Sequence, residues 1–207
     1  MKEKYASVLS RYLPEPAVEQ IVEWIVLYGF HLTITRDRST KLGDFRPILG
    51  KTRGHRISIN FNLNPYAFLI TLVHEIAHLT NWNQFGSRVK PHGKEWKEHY
   101  SLHMKPFLRE DIFPKEMLET LQNYMDNPAA SSCGDPELMK KLRLYDDGES
   151  VIFLEELPQN TLFKLRSGRI FKKGPKQRKN FKCEEISSQK IYLVHPLAEV
   201  EILTSVE

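Results

Sequence analysis

The chain has 207 residues, 41% of them hydrophobic and 27% charged, with a net charge of +4. That length suits one good-sized domain, or a domain with a small appendage, and the composition is that of a soluble globular protein and excludes a disordered or fibrous one. No stretch approaches the ~20 apolar residues of a membrane span, the basic N-terminus lacks the apolar core and cleavage site of a signal peptide, and two cysteines, Cys133 and Cys183, are too few for a disulfide framework or a four-cysteine zinc ribbon, which fits a reducing cytoplasm.

A helix is predicted over about residues 4–13. A second follows Pro16, with Val18, Ile21, Val22, Ile25 and Val26 as its apolar stripe. The segments "FHLTITR" (30–36), "LGDFRPIL" (42–49) and "HRISINFNL" (55–63) read as strands of a small antiparallel sheet. In the last of them Ile57, Ile59 and Phe61 alternate with Arg56, Ser58 and Asn60. "NPYAFLITLVHEIAHLTNW" (64–82) then reads as a long helix, with Asn64 as its N-cap and Pro65 at its first position. Further helices are predicted at about 92–104, 114–126 and 135–144. Helices, a small sheet and more helices make an α+β domain.

The turn-rich segments 127–137 and 146–150 precede a change of pattern, so a boundary is placed at 147, with domains 1–147 and 148–207. Residues 1–150 hold 20 Lys+Arg against 19 Asp+Glu, nearly neutral, whereas from Leu157 to Cys183 there are nine basic residues and no acidic one. Beyond 150 the chain reads as four or five short strands with turns at Ser167-Gly168, Gly174-Pro175 and Ser187-Ser188. A small all-β barrel, SH3-like or OB-like, is expected, with Phe153, Leu162, Leu165, Ile170, Tyr192, Val194, Val200 and Ile202 in its core. Lys164, Arg166, Arg169, Lys172, Lys173, Lys176, Arg178, Lys179 and Lys182 are interleaved with Phe163, Phe171 and Phe181. Phosphate neutralisation with aromatic stacking is how single-stranded nucleic acid is held, so this run is the candidate nucleic-acid surface. Lys41, Arg46, Lys51, Arg53 and Arg56 form a basic loop that would extend it. Cys183 reads as a small buried residue.

The chemistry is in the long helix. Burying a polar group without a partner costs ~2–7 kcal/mol, yet His74, Glu75 and His78 stand in an apolar run. His74 and His78, four residues apart, project from one face of a helix, where two imidazoles can bind one Zn²⁺ at ~2.0–2.1 Å each. Glu75 lies ~100° around the helix from His74 and flanks the metal as a general base. His-Glu-x-x-His thus places two ligands and a base on one rigid element. A catalytic zinc needs a third protein ligand and an open position. Glu95, Glu98, His92, His99 and His103 follow; Asn81 and Gln84 occupy the places where a metzincin has glycine and histidine. Glu95 and Glu98 remain open as third ligands. His92 is preferred, because it lies in "KPHGKEW" (90–96) at the start of a predicted helix, with Gly93 giving room for close approach and Trp96 anchoring the helix in the core. His99 and His103 are assigned supporting or surface positions.

"LITLVHEIAHL" together with "KPHGKEWKEHY" resembles the SprT-like family of zinc metalloproteases, members of which cleave DNA–protein crosslinks. The resemblance covers about residues 10–110. It implies a zincin-like domain, His74, His78 and His92 as zinc ligands, Glu75 as the catalytic base, and a protein substrate, with proteins bound or crosslinked to single-stranded or damaged DNA as the targets. Many bacterial members end in a zinc ribbon of paired cysteines, which two cysteines do not build, so a different C-terminal module is expected. The alternative reading is a nucleic-acid-binding protein with a structural, non-catalytic zinc site; Glu75 separates the two, since a structural site needs no carboxylate beside its ligands.

Overall fold

A computed structural model describes residues 2–38, 41–48, 54–129, 135–146 and 152–203. The chain forms two compact units, Met1–Asp147 and Gly148–Glu207.

In the first unit the order is α1 (Lys2–Leu9), α2 (Val18–Tyr28), β1 (His31–Thr35), β2 (Gly43–Arg46), β3 (Arg56–Asn60), α3 (Pro65–Phe85), α4 (Lys94–Met104), α5 (Lys115–Met125) and α6 (Pro136–Arg143). Helix α2 buries Val18, Ile21, Val22, Trp24 and Ile25, whereas Val26, expected in the stripe, is 48% exposed. Each residue adds about 100°, so position 24 lies nearer than position 26 to the face set by 18, 21 and 25. Gly29 ends α2 in the left-handed region, at φ 61°.

The sheet is three-stranded, in the order β1-β3-β2, and it corrects the expected antiparallel arrangement. β2 pairs antiparallel with β3, but β1 runs parallel to β3, Leu32 opposite Ile57 and Ile34 opposite Ile59. A parallel pair needs a long connection, and the segment from β1 to β3 supplies it by carrying β2 to the far edge. β3 is therefore the central strand, with Ile57 and Ile59 fully buried. Strand alternation fails at its end: Asn60 is buried and Phe61 is 52% exposed. Asn60 Oδ1 accepts from Arg38 Nε at 2.7 Å and its Nδ2 donates to the Lys41 carbonyl at 3.0 Å, so hydrogen bonding outweighs apolar alternation there.

Helix α3 starts as expected. Asn64 Oδ1 accepts from the Tyr66 and Ala67 amides at 3.1 and 3.0 Å, and Pro65 opens the helix. The Asn64 Nδ2 also donates to the Leu142 carbonyl at 2.9 Å and to Asp146 at 2.6 Å, tying α6 to the start of α3. Nearly every face of α3 is covered, and Phe68, Trp96, Tyr100, Phe107 and Phe113 fill the core around it.

The second unit has six strands: β4 (Ile152–Phe153), β5 (Leu162–Leu165), β6 (Ile170–Gln177), β7 (Asn180–Glu185), β8 (Ile191–Val194) and β9 (Glu199–Ile202). All pairings are antiparallel, in the order β4-β9-β5-β6-β7-β8. Leu154, Leu157, Phe163, Phe171 and Cys183 are its most buried core residues. Ile202, expected in the core, is 42% exposed. The turn read at Gly174-Pro175 is instead a bulge inside β6, and the hairpin reverses at Arg178-Lys179. Gly174 passes the Lys182 carbonyl so closely that a Cβ there would lie 2.2 Å from it, a bulge only glycine permits.

Candidate metal centre and cleft

Helix α3 delivers His74 and His78 one turn apart, and the loop ahead of α4 returns His92 to the same point. The three Nε2 atoms form a triangle: His74 to His78 is 3.1 Å, His78 to His92 is 2.9 Å and His92 to His74 is 3.3 Å. Each Nε2 is either donor or acceptor, so at most two of these three contacts can be donor–acceptor pairs. The triangle is unfavourable with nothing at its centre. Three nitrogens each ~2.05 Å from a tetrahedral zinc would be about 3.3 Å apart, so the donor set fits a metal ion; among the described residues this is the cluster that could hold one. Glu95 and Glu98 are not in that cluster, and Glu98 faces Lys94 at 3.8 Å.

Burial, reinforced by the neighbouring imidazoles, drives the His74 pKa down to about 3 and that of His78 down to about 4; burial also lowers that of His92. The rings are therefore neutral near pH 7, the form that ligates. Trp96 packs against all three, its ring centroid 4.6, 5.2 and 4.7 Å from those of His74, His78 and His92, and Tyr100 stacks beneath Trp96 at 5.1 Å. These fully buried aromatics fix the imidazole orientations.

Glu75 is buried beside the cluster, where α3 meets the outer edge of β2. Its carboxylate accepts a hydrogen bond from the Phe45 backbone amide. Gly43 allows this approach: a Cβ there would lie 2.5 Å from Glu75 Oε1. Burial raises the Glu75 pKa to about 8, helped by the charge of Asp44 and opposed by the Phe45 amide, Arg38 and Lys41. Arg38 holds the segment leading to β2, donating to Asn60 Oδ1 at 2.7 Å and to Ser58 Oγ at 2.9 Å. Gly43 and Phe45 on β2, Arg38 in the segment ahead of it and Asn60 at the end of β3 act on the site from outside the motif helix, and the sequence reading did not single them out for it.

A cleft of about 510 Å³ opens over these groups, lined by Gly43, Asp44, Phe45, Pro47, His74, Glu75, His78, Asn81, Trp82, Gly86, Ser87, Val89, Pro91 and His92. His99 and His103 stand outside it. His99 clasps α3, with Nδ1 2.9 Å from Thr80 Oγ1 and Nε2 2.9 Å from Gln84 Oε1. His103 Nε2 lies 3.1 Å from the Tyr28 hydroxyl. Of the basic loop, Lys41 and Arg46 both pair with Asp44 at 2.7 Å, Arg56 is exposed, and Lys51 and Arg53 lie outside the described residues.

In the second unit the basic run divides. Lys172, Lys176, Arg178, Lys179 and Lys182 are exposed. Arg166 pairs with Glu199 at 2.5 Å, Lys164 with Glu201 at 2.6 Å, and Arg169 with Glu185 at 2.6 Å while lying 4.4 Å over the Tyr192 ring. Lys173 is a correction: it is only 4% exposed, donates to the Glu155 and Leu157 carbonyls and lies 4.2 Å over Phe181. The two-residue period of β6 puts Lys173 on the same inner face as Phe171, which the sequence already implied. Phe163 and Phe171 are core residues too, which removes them as stacking platforms and leaves the half-buried Phe181.

Residues 36–110, which span β2, β3, α3 and α4, match the SprT-like family model. Protein SprT of Vibrio parahaemolyticus is 52% identical over 40 residues, 19% of this chain and 24% of that protein. Protein SprT of Cronobacter sakazakii and that of Erwinia tasmaniensis are each 60% identical over 35 residues, 16% of this chain and 20% of theirs. The chain thus spans a quarter or less of the length of the curated relatives it matches. No solved structure matches. The matched residues carry all three converging histidines and Glu75, so the candidate metal centre lies in the segment over which this chain is similar to the SprT-like family.

Proposed function

We propose that the chain is a zinc-dependent endopeptidase, with a zincin-like first unit and a second unit that is a small basic β-barrel module. The observation that carries this is the triangle of Nε2 atoms, 2.9–3.3 Å on a side, with the buried Glu75 carboxylate beside it in an open cleft. His74, His78 and His92 would hold the ion. When bound, zinc supplies Lewis acidity, which polarises a peptide carbonyl and acidifies water. Glu75 takes the proton of the attacking water and passes it to the leaving amine; with its proton affinity raised to near neutrality it can do both. The Phe45 amide holds one carboxylate oxygen, leaving the group a fixed position over the cleft.

The substrates we propose are proteins, including those held on single-stranded or damaged DNA, with Lys172, Lys176, Arg178, Lys179 and Lys182 as the phosphate-binding surface. A cytoplasmic location is proposed with it; among the described residues no helix is long and apolar enough to cross a membrane. The Glu75→Gln variant tests the reaction: it is expected to keep its zinc and lose peptide cleavage by at least ~10³-fold. Cleavage that survives would mean that the carboxylate is not the base and would favour a structural zinc.

A further inference from the structure

β1 is an edge of the three-stranded sheet, opposite the edge formed by β2, which borders the cleft. Its hydrogen bonding has a fixed phase. The His31 amide donates to the His55 carbonyl at 2.8 Å, and the Thr35 carbonyl accepts from the Phe61 amide at 2.9 Å. Alternate residues of a strand bond to one neighbour, so His31, Thr33 and Thr35 face β3, and the N–H and C=O groups of Leu32 and Ile34 point outward from the sheet. Among the described residues, no hydrogen bond from outside the sheet reaches those groups. A groove of about 620 Å³ opens beside them, lined by Leu32 and Ile34 of β1 and by Lys4, Tyr5, Val8 and Leu9 of α1. Lysines, prolines and bulges are what keep an edge from recruiting another strand. β1 has none of them, its register with β3 running unbroken from His31 to Thr35, whereas β2 carries Asp44 and Arg46. Lys4 is the charged residue of the lining, and among the described residues no carboxylate pairs with it.

We propose that this groove docks an extended segment of a partner protein, which joins the sheet as an added strand beside β1. Each feature of the groove fixes part of the partner's chemistry. The outward groups of Leu32 and Ile34 take N–H and C=O partners from residues two apart in the segment. Residues opposite Leu32 and Ile34 share their face of the sheet, so both side chains enter the groove, and its apolar lining selects aliphatic or aromatic ones. The unpaired Lys4 ammonium selects an aspartate or glutamate beside them. The docked motif is therefore apolar-x-apolar with an adjacent acid. A segment held at β1 leaves the cleft beside β2 open, so the groove recruits a partner and does not hold the chain being cut; it stands whether or not the cleft hydrolyses peptides.

The test uses the full chain carrying Glu75→Gln, so that no peptide is cut, and a phage-displayed library of random peptides of about ten residues. Selection is expected to enrich apolar-x-apolar with Asp or Glu beside it. A synthetic peptide of the enriched sequence is then titrated by fluorescence anisotropy. N-methylation of the amide at either apolar residue should weaken binding about tenfold, and at the residue between them less than about twofold. Val8, 44% exposed on α1, can be changed without opening the core. Val8→Glu should weaken binding at least about tenfold at an unchanged melting temperature. Lys4→Glu should weaken the acidic peptide about threefold and favour a peptide with lysine in place of the acid. No enriched motif, or a peptide whose binding survives Val8→Glu, overturns the docking site. Equal sensitivity to methylation at all three amides overturns the added strand. A chain that sediments as a dimer, and as a monomer with Val8→Glu, overturns the proposal in favour of a second copy in the groove. Peptide cleavage by wild type is measured in parallel: its absence would remove the endopeptidase reading and leave the docking site standing.

Discussion

Glu75 is held by a residue that has no side chain. Gly43 lets β2 come close enough for the Phe45 amide to reach the carboxylate, and a methyl group at position 43 would meet Oε1 at 2.5 Å, Cγ at 2.8 Å and Thr71 Cγ2 at 2.9 Å. Gly43→Ala must therefore push the base or the strand. It is expected to cut cleavage by about 10²-fold, since misplacement of ~1 Å is enough for that, and to leave zinc content unchanged because no histidine ligand is touched. Activity within a few-fold of wild type would show that Glu75 is not positioned by this contact. His74, Glu75 and His78 were legible in the sequence because their geometry is local: one helix fixes all three. His92 needed only a short loop. Gly43 and Phe45 were hidden, since the approach of a strand to a helix is a property of the folded chain. Lys173 was legible and misread, its charge given more weight than the alternation that turns it inward.

The helices followed from periodicity and caps, and α3 shows how much one cap can carry. Asn64 accepts from two amides at the helix start and donates to Leu142 and Asp146 at the end of α6, so one side chain joins four backbone or carboxylate groups. Asn64→Ala removes the cap and strands the buried Leu142 carbonyl; the expected loss is about 2 kcal/mol, read from urea unfolding. A loss below about 0.5 kcal/mol would show that water replaces these bonds. The strands were legible as strands, but not their partners. Alternation says which face is buried and nothing about direction, so the parallel pairing of β1 with β3 could not be read from "HLTIT" and "RISIN". The bulge at Gly174 was mistaken for a turn because glycine followed by proline marks both.

On the scale of the molecule, the charge is unevenly spread. The first unit is nearly neutral, and the second carries five exposed cations on β6, β7 and the hairpin between them. In the intact chain, reversing Lys176, Arg178 and Lys179 to Glu should weaken single-stranded DNA binding and lower the slope of log K against log salt by about 2, the effect of three lost phosphate contacts. Unchanged affinity and slope would remove this surface from the proposal. The family match ends at residue 110, so the second unit is understood from its own residues alone.

The central claim is that one ion is held by three histidines, the third of them fourteen residues beyond the motif. Metal content per chain, measured by mass spectrometry on purified wild type and His92→Ala, tests it most directly. About one zinc per wild-type chain and less than about a tenth of that in the variant is the expected result. Equal zinc in both, or none in wild type under zinc-replete conditions, would contradict it.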